Sequence, residues 1–146
     1  MSIQNIFSAN GYNLECNNLT VAGTLSVDGE TSDHQQITLA YSGPWAASQN
    51  GTVYLTKTGH AVNITVDQVT AAATSANIIT SAQIPAAFFP PVVISQRINV
   101  EDNSAGALGT VTLSNTGILN IAVNFNSNFQ NSGVAGFFGF AMSFSQ

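Results

Sequence analysis

Apolar and polar residues alternate with a period of two along most of this chain. Residues 52–56 (Thr-Val-Tyr-Leu-Thr) and 60–66 (His-Ala-Val-Asn-Ile-Thr-Val) do so, as do 109–113 and 117–123. Successive side chains on a strand point to opposite faces, so this pattern predicts half-buried strands. Breakers recur at Gly43-Pro44, Asn50-Gly51, Thr58-Gly59, Ala105-Gly106, Thr116-Gly117 and Ser132-Gly133. Asn50-Gly51 and Thr116-Gly117 suit tight turns that need a positive φ. Short strands closed by such turns predict an all-β chain, an antiparallel β-sandwich or jelly roll. The one helical candidate, 71–76, is too short to shape the fold.

Two segments depart from this rhythm. Residues 18–29 read Asn-Leu-Thr-Val-Ala-Gly and then Thr-Leu-Ser-Val-Asp-Gly, two units with Leu, a hydroxyl, Val and Gly in the same places. Each unit is too thin to bury Leu19, Val21, Leu25 and Val27 alone. It is either an ordinary hairpin at a domain edge or a short stalk of identical copies wound about an axis. Residues 29–36 are polar and turn-like, so the boundary is expected there: 1–35 as N-terminal segment and β stalk, 36–146 as β-sandwich head. Near the other end, 136–144 reads as one strand. Phe138, Phe140, Met142 and Phe144 would share one face, with Phe137, Gly139, Ala141 and Ser143 opposite. Four large groups on one face predict a central core strand. The small residues Gly139, Ala141 and Ser143 would let a second sheet or subunit approach. Together with Leu19, Val21, Leu25 and Val27 they form the expected interface between copies of the chain.

Composition narrows the function. Of 146 residues only seven are acidic and two basic, a charged fraction of 6 %, where about a quarter is usual. Asn, Gln, Ser and Thr number 54 and carry the hydration instead. Lys57 and Arg97 are too few to neutralise phosphates, so no nucleic-acid partner is expected. The single Cys16 makes no intrachain disulfide. No apolar run is long enough for a transmembrane helix. The first residues lack a signal-peptide pattern, so synthesis in a cytoplasm is expected. The sequons at Asn18 and Asn63 read as chance matches in an Asn-rich chain.

Little here suits catalysis. His34 and His60 are the only imidazoles, and no Ser sits in a Gly-x-Ser-x-Gly elbow. Glu101 and Asp102 are adjacent, so on a strand they point apart and do not form a glycosidase pair. With Asn103 they offer oxygens suited to Ca²⁺, but adjacent acids in a turn read more simply as solvated. No enzyme activity, cofactor or metal site is expected. Ligand binding fits better. Tyr41-Ser-Gly-Pro-Trp45 carries the only Trp, and an aromatic plate beside amides suits a sugar ring; alternatively Trp45 plugs the edge of the core. The polar connection 124–132 offers Asn124, Phe125, Asn126, Asn128 and Phe129 as an adaptable binding loop, or a solvated loop with its rings tucked beneath.

These residues carry a resemblance. The glycine-closed units at 18–29 resemble the shaft repeats of viral fibres. Ile84-Pro-Ala-Ala-Phe-Phe-Pro-Pro91 is similar to the Ile/Leu-Pro-x-x-aromatic-x-Pro element of phage tail-fibre tips. In those tips it precedes a strand (here 92–100), a hairpin (109–113 and 118–123 about a turn at 115–117) and a final aromatic strand (137–144). Phe89 stands where a basic residue before Pro is common in that family. The resemblance implies a homotrimeric head on a β stalk at a virion surface, attaching to a host-surface glycan or glycoprotein. The chain also resembles minor virion proteins of large DNA viruses and virophages, which implies instead a minor capsid or cement protein bound to other virion components. A cellular trimeric signalling head of the tumour-necrosis-factor type is a third option, disfavoured without a signal peptide. No receptor-contact residues carry over, because the family does not share those loops.

Overall fold

The computed structural model describes residues 25–27 and 30–146. The described chain is all-β, and every strand pair is antiparallel. Strands are β1 (Leu25–Val27), β2 (Glu30–Ser42), β3 (Gln49–Thr58), β4 (Ala61–Val66), β5 (Val69–Ala72) and β6 (Ile79–Gln83). They continue as β7 (Ile94–Asp102), β8 (Ala105–Leu113), β9 (Ile118–Val123), β10 (Val134–Phe137) and β11 (Phe140–Ser145). Their spatial order is β11-β4-β3-β2-β6-β9-β8-β7-β10-β5, with β1 paired to β2 off this path.

The sheet curls on itself, and the chain shows how. Only Asp67-Gln68 separates β4 from β5, and only Phe138-Gly139 separates β10 from β11. β4 pairs with β11, while β5 pairs with β10. One long antiparallel ribbon therefore bends at a shared corner, and its two halves join opposite ends of the strand path. Alternation then fills the inside. Val53 and Leu55 on β3, Val62, Ile64 and Val66 on β4, Val111 and Leu113 on β8, and Leu119 and Ile121 on β9 are all buried. They belong to one apolar cluster. Phe137 sits edge-on to both Tyr41 and Phe140, with centroids at 5.2 and 5.7 Å, a favoured aromatic geometry.

Several expectations are corrected. Residues 30–36 are not a turn but the first half of β2, which pairs with β3 from Ser32 opposite Thr58 onward. Leu25 and Val27 lie on β1, which forms a hairpin with β2 through Leu25↔Ser32 and Val27↔Glu30; Leu19 and Val21 fall outside the described residues. Asn50-Gly51 is inside β3, opposite Ala40 and Leu39. The glycine there serves close packing: an added Cβ would meet Val69 Cγ2 at 2.6 Å and the Tyr41 ring at 3.1 Å. Residues 71–76 hold the end of β5 rather than a helix. Ala105-Gly106 begins β8, and the true turn is Asn103-Ser104, both at positive φ (52° and 62°). Two such residues make a type I′ connection, which matches strand twist. Thr58-Gly59 and Thr116-Gly117 do mark turns, with Gly59 at φ 57° and Gly117 at 77°.

The C-terminal aromatic run is two strands. The break at Phe138-Gly139 changes the side-chain parity. Phe137 points inward with Phe140 and Met142, while Phe138 is partly exposed. β11 pairs only with β4 and lies at the end of the path, so it is not central. Ala141 and Ser143 are exposed along it, and Gly139 is exposed at the break before it.

The segment at 84–91 is a plug. Ile84 and Phe88 are buried, and Ala86–Phe88 forms one 3₁₀ turn. The Gln146 side chain donates to the carbonyls of Ala87 (3.0 Å) and Phe89 (2.7 Å), tying the last residue to this turn.

Candidate functional site

The outer face of the β7–β8 hairpin sets Arg97 among hydroxyls and an amide. On β7 the inward residues Ile98 and Val100 are buried, so Ser95, Arg97 and Asn99 face out. On β8 the outward set is Leu108, Thr110 and Thr112, in register with them as Ser95↔Thr112, Arg97↔Thr110 and Asn99↔Leu108. The Ser95 and Thr112 hydroxyls are 3.0 Å apart.

A tight loop folds over this face. Val123 and Ser127 exchange two backbone hydrogen bonds, 2.9 and 3.0 Å, leaving Asn124, Phe125 and Asn126 as the tip. Asn124 takes a positive φ of 54°, which this residue type tolerates. Its N–H donates to Leu108 O at 2.8 Å. Its carbonyl accepts from Arg97 Nη1 at 3.0 Å and from the Thr110 hydroxyl. The Phe125 ring then lies on the Arg97 guanidinium, 3.9 Å from Cζ to centroid, a cation–π contact. Phe125 is 76 % exposed. Phe125, Arg97, Thr110, Thr112, Ser95 and Gln96 line an open hollow of about 230 Å³.

The same face continues towards the hairpin tip. Asn99, Gly106, Leu108 and Phe138 line a second open hollow of about 530 Å³. Leu108 is 59 % and Phe138 37 % exposed. The loop behind the tip is anchored. Both Asp102 carboxylate oxygens accept from Gln130, through its backbone N–H (2.7 Å) and its amide (3.3 Å). Ser132 Oγ donates to Asn103 Oδ1, and Ser104 and Val134 bond reciprocally at 2.9 Å. Asp102 and Asn103 thus hold a loop, and among the described residues no group of three or more acidic, His or Cys side chains is placed to hold a metal ion.

The expected binding residues divide. Asn124, Phe125, Asn126 and Asn128 are exposed on the 124–128 loop, and the first two reach the Arg97 hollow. Tyr41, Trp45 and Phe129 do not line that hollow, and all three are buried. Trp45 is pinned from within, its Nε1–H donating to Ala135 O at 2.9 Å, so it plugs the core. The Tyr41 hydroxyl is buried with no hydrogen-bond partner among the described residues, and desolvation pushes its pKa above the ordinary phenol range. Sequence reasoning missed Arg97, Thr110, Leu108 and Phe138. The available signal was the outward phase of alternation in 95–99 and 108–112, which places Arg97, Leu108 and Thr110 on one surface; Phe138 had no such signal.

His34 lies apart on β2. Its ring nitrogens meet hydroxyls, Ser32 Oγ at 3.0 Å and Thr56 Oγ1 at 3.3 Å. Among the described residues no carboxylate hydrogen-bonds the imidazole.

No protein-family profile matches the chain, and no curated protein matches it in sequence. Among solved structures, the chain is similar to a reovirus attachment protein, sigma1, in a complex with alpha-2,3-sialyllactose. The identity is 14 %, the alignment covers 80 % of this chain, and the TM-score is 0.48. The chain spans 66 % of the length of that one.

Proposed function

We propose that this protein is a non-enzymatic attachment protein of a virion surface, a homotrimer that binds host-surface glycan through the β7–β8 face. The observation that carries the reading is the Phe125 ring. A ring left 76 % exposed would ordinarily fold against the core, yet here it is held outward on Arg97 above a hydroxyl-lined hollow. Aromatic plates next to hydroxyl and guanidinium donors suit sugars, whose CH faces stack while their hydroxyls hydrogen-bond. The 18–29 units and the 84–91 plug support a fibre-tip setting through their resemblance to that family.

A glycan array tests this. The intact protein should bind a subset of glycans, and Phe125→Ala should lose most of that signal while keeping its melting temperature, since the ring buries little. Light scattering should give a mass of about three chains. A folded protein that is silent on the array and binds other capsid components instead would favour the cement role. The exposed pair Val92 (64 %) and Val93 (58 %) is the observation on that side, an apolar tip available to a protein partner.

A further inference from the structure

The guanidinium of Arg97 is only partly used. Nη1 is committed to Asn124 O and, at 3.4 Å, to Thr110 Oγ1, and one planar face is under Phe125. Nε and Nη2 have no hydrogen-bond partner among the described residues. That remaining edge is a two-donor fork whose spacing matches a carboxylate. The side chain is also held in place before any ligand arrives. Three contacts fix it, so little further rotamer freedom is lost on binding.

The electrostatic setting favours an anion here despite the net charge of −5. The contacts of Arg97 are a ring, a hydroxyl and a carbonyl, none of them negative. The nearest acid on the outward face of β7 is Glu101, four residues along the strand, or about 13 Å away. That exceeds the screening length at physiological salt, about 8 Å. Asp102 is turned to Gln130. Two positions along the strands, about 7 Å from Arg97, the face changes from hydroxyls to Leu108 and Phe138. One open surface therefore offers a carboxylate fork at one end and an apolar floor at the other.

We infer that the glycan taken by this face is acidic. Its carboxylate binds the Nε–Nη2 edge of Arg97, and the neighbouring sugar ring rests its apolar side on Leu108 and Phe138. This rests on the attachment reading and names its ligand class. Sulfated or phosphorylated sugars present a different, tetrahedral anion and are the contrasting probes.

The experiment uses the intact wild-type protein on matched immobilised glycans, each carried as the carboxylate, as its neutral amide, and as a sulfate ester of the same backbone. The carboxylate should bind about 10-fold or more tightly than its amide, the scale of a charge-assisted bidentate pair, and more tightly than the sulfate. Added salt should shrink that preference. Arg97→Lys keeps the charge without the fork and should lose most of the preference at unchanged melting temperature. Leu108→Asn should weaken a disaccharide but not the acidic monosaccharide. Equal binding to acid and amide overturns the inference and leaves glycan attachment standing. A sulfate preferred over the carboxylate overturns it too. A folded protein that binds no glycan overturns both.

Discussion

Tyr41→Phe is the sharpest test of where the core lies. The tyrosine ring is fully buried against Phe137 and over Gly51, and its hydroxyl meets no described partner. Burying an unpaired hydroxyl costs about 1–3 kcal/mol by protein mutational measures. Removing the oxygen leaves a gap of about 10–15 Å³, which at about 24 cal/mol per Å³ returns only about 0.3 kcal/mol. The variant should therefore be more stable by about 1–2.5 kcal/mol near neutral pH, a rise in Tm of roughly 3–8 °C. Alkali adds a second signature. The unfolded phenol ionises near pH 10, while burial holds the folded group well above that. Because the folded value is the higher one, the group leaves stability independent of pH below about pH 10 and lowers it as pH rises from there towards the folded pKa. Each pH unit in that window costs the wild type about 1.4 kcal/mol, and the phenylalanine variant escapes it. The gap between the two proteins should widen from pH 8 to 12 in urea titrations followed by far-ultraviolet circular dichroism. Glycan binding should not change. A variant less stable by about 1 kcal/mol, or a gap that stays constant with pH, would refute the reasoning.

Trp45→Ala should cost about 3–5 kcal/mol through the cavity, with the lost bond to Ala135 O adding to it; Trp45→Phe should cost less, and neither should change glycan preference in protein that remains folded, as equilibrium unfolding and the array would report. Gly117→Ala should destabilise by about 1–3 kcal/mol, because φ is 77° and the new Cβ would collide with the Phe89 ring and crowd Ile84. Its signature in thermal melts is a lower Tm without loss of secondary structure at low temperature.

Much of the fold is written in local pattern. The inward phases of β3, β4, β8 and β9 follow directly from alternation, since a one-residue shift would turn Val53, Leu55, Val62 and Ile64 out to water. Gly59 and Gly117 could be placed as turns because positive φ is costly for other residues. The failures have a shared cause. Asn50-Gly51 looks like a turn, but its glycine answers a ring from β2 and a valine from β5, neighbours in space rather than in sequence. Asn103-Ser104 turns at positive φ without glycine because Ser132 and Val134 supply the hydrogen bonds that hold it. The break at Phe138-Gly139 has no local marker beyond one glycine; it exists because the β4–β5 and β10–β11 ribbon must bend to close the curl.

The site divides in the same way. The chain alone determined an all-β protein, poor in charge, with Asn124 and Phe125 on a polar connection. It could not rank its aromatic residues by exposure, since Tyr41, Trp45 and Phe125 are chemically alike to a pattern of polar and apolar positions. Tertiary structure ranked them by closing the sheet over two and leaving the third on Arg97. It also brought Arg97 and Asn124, 27 residues apart, to 3.0 Å. Alternation states which face a side chain takes; only strand pairing across long separations states which side chains share it.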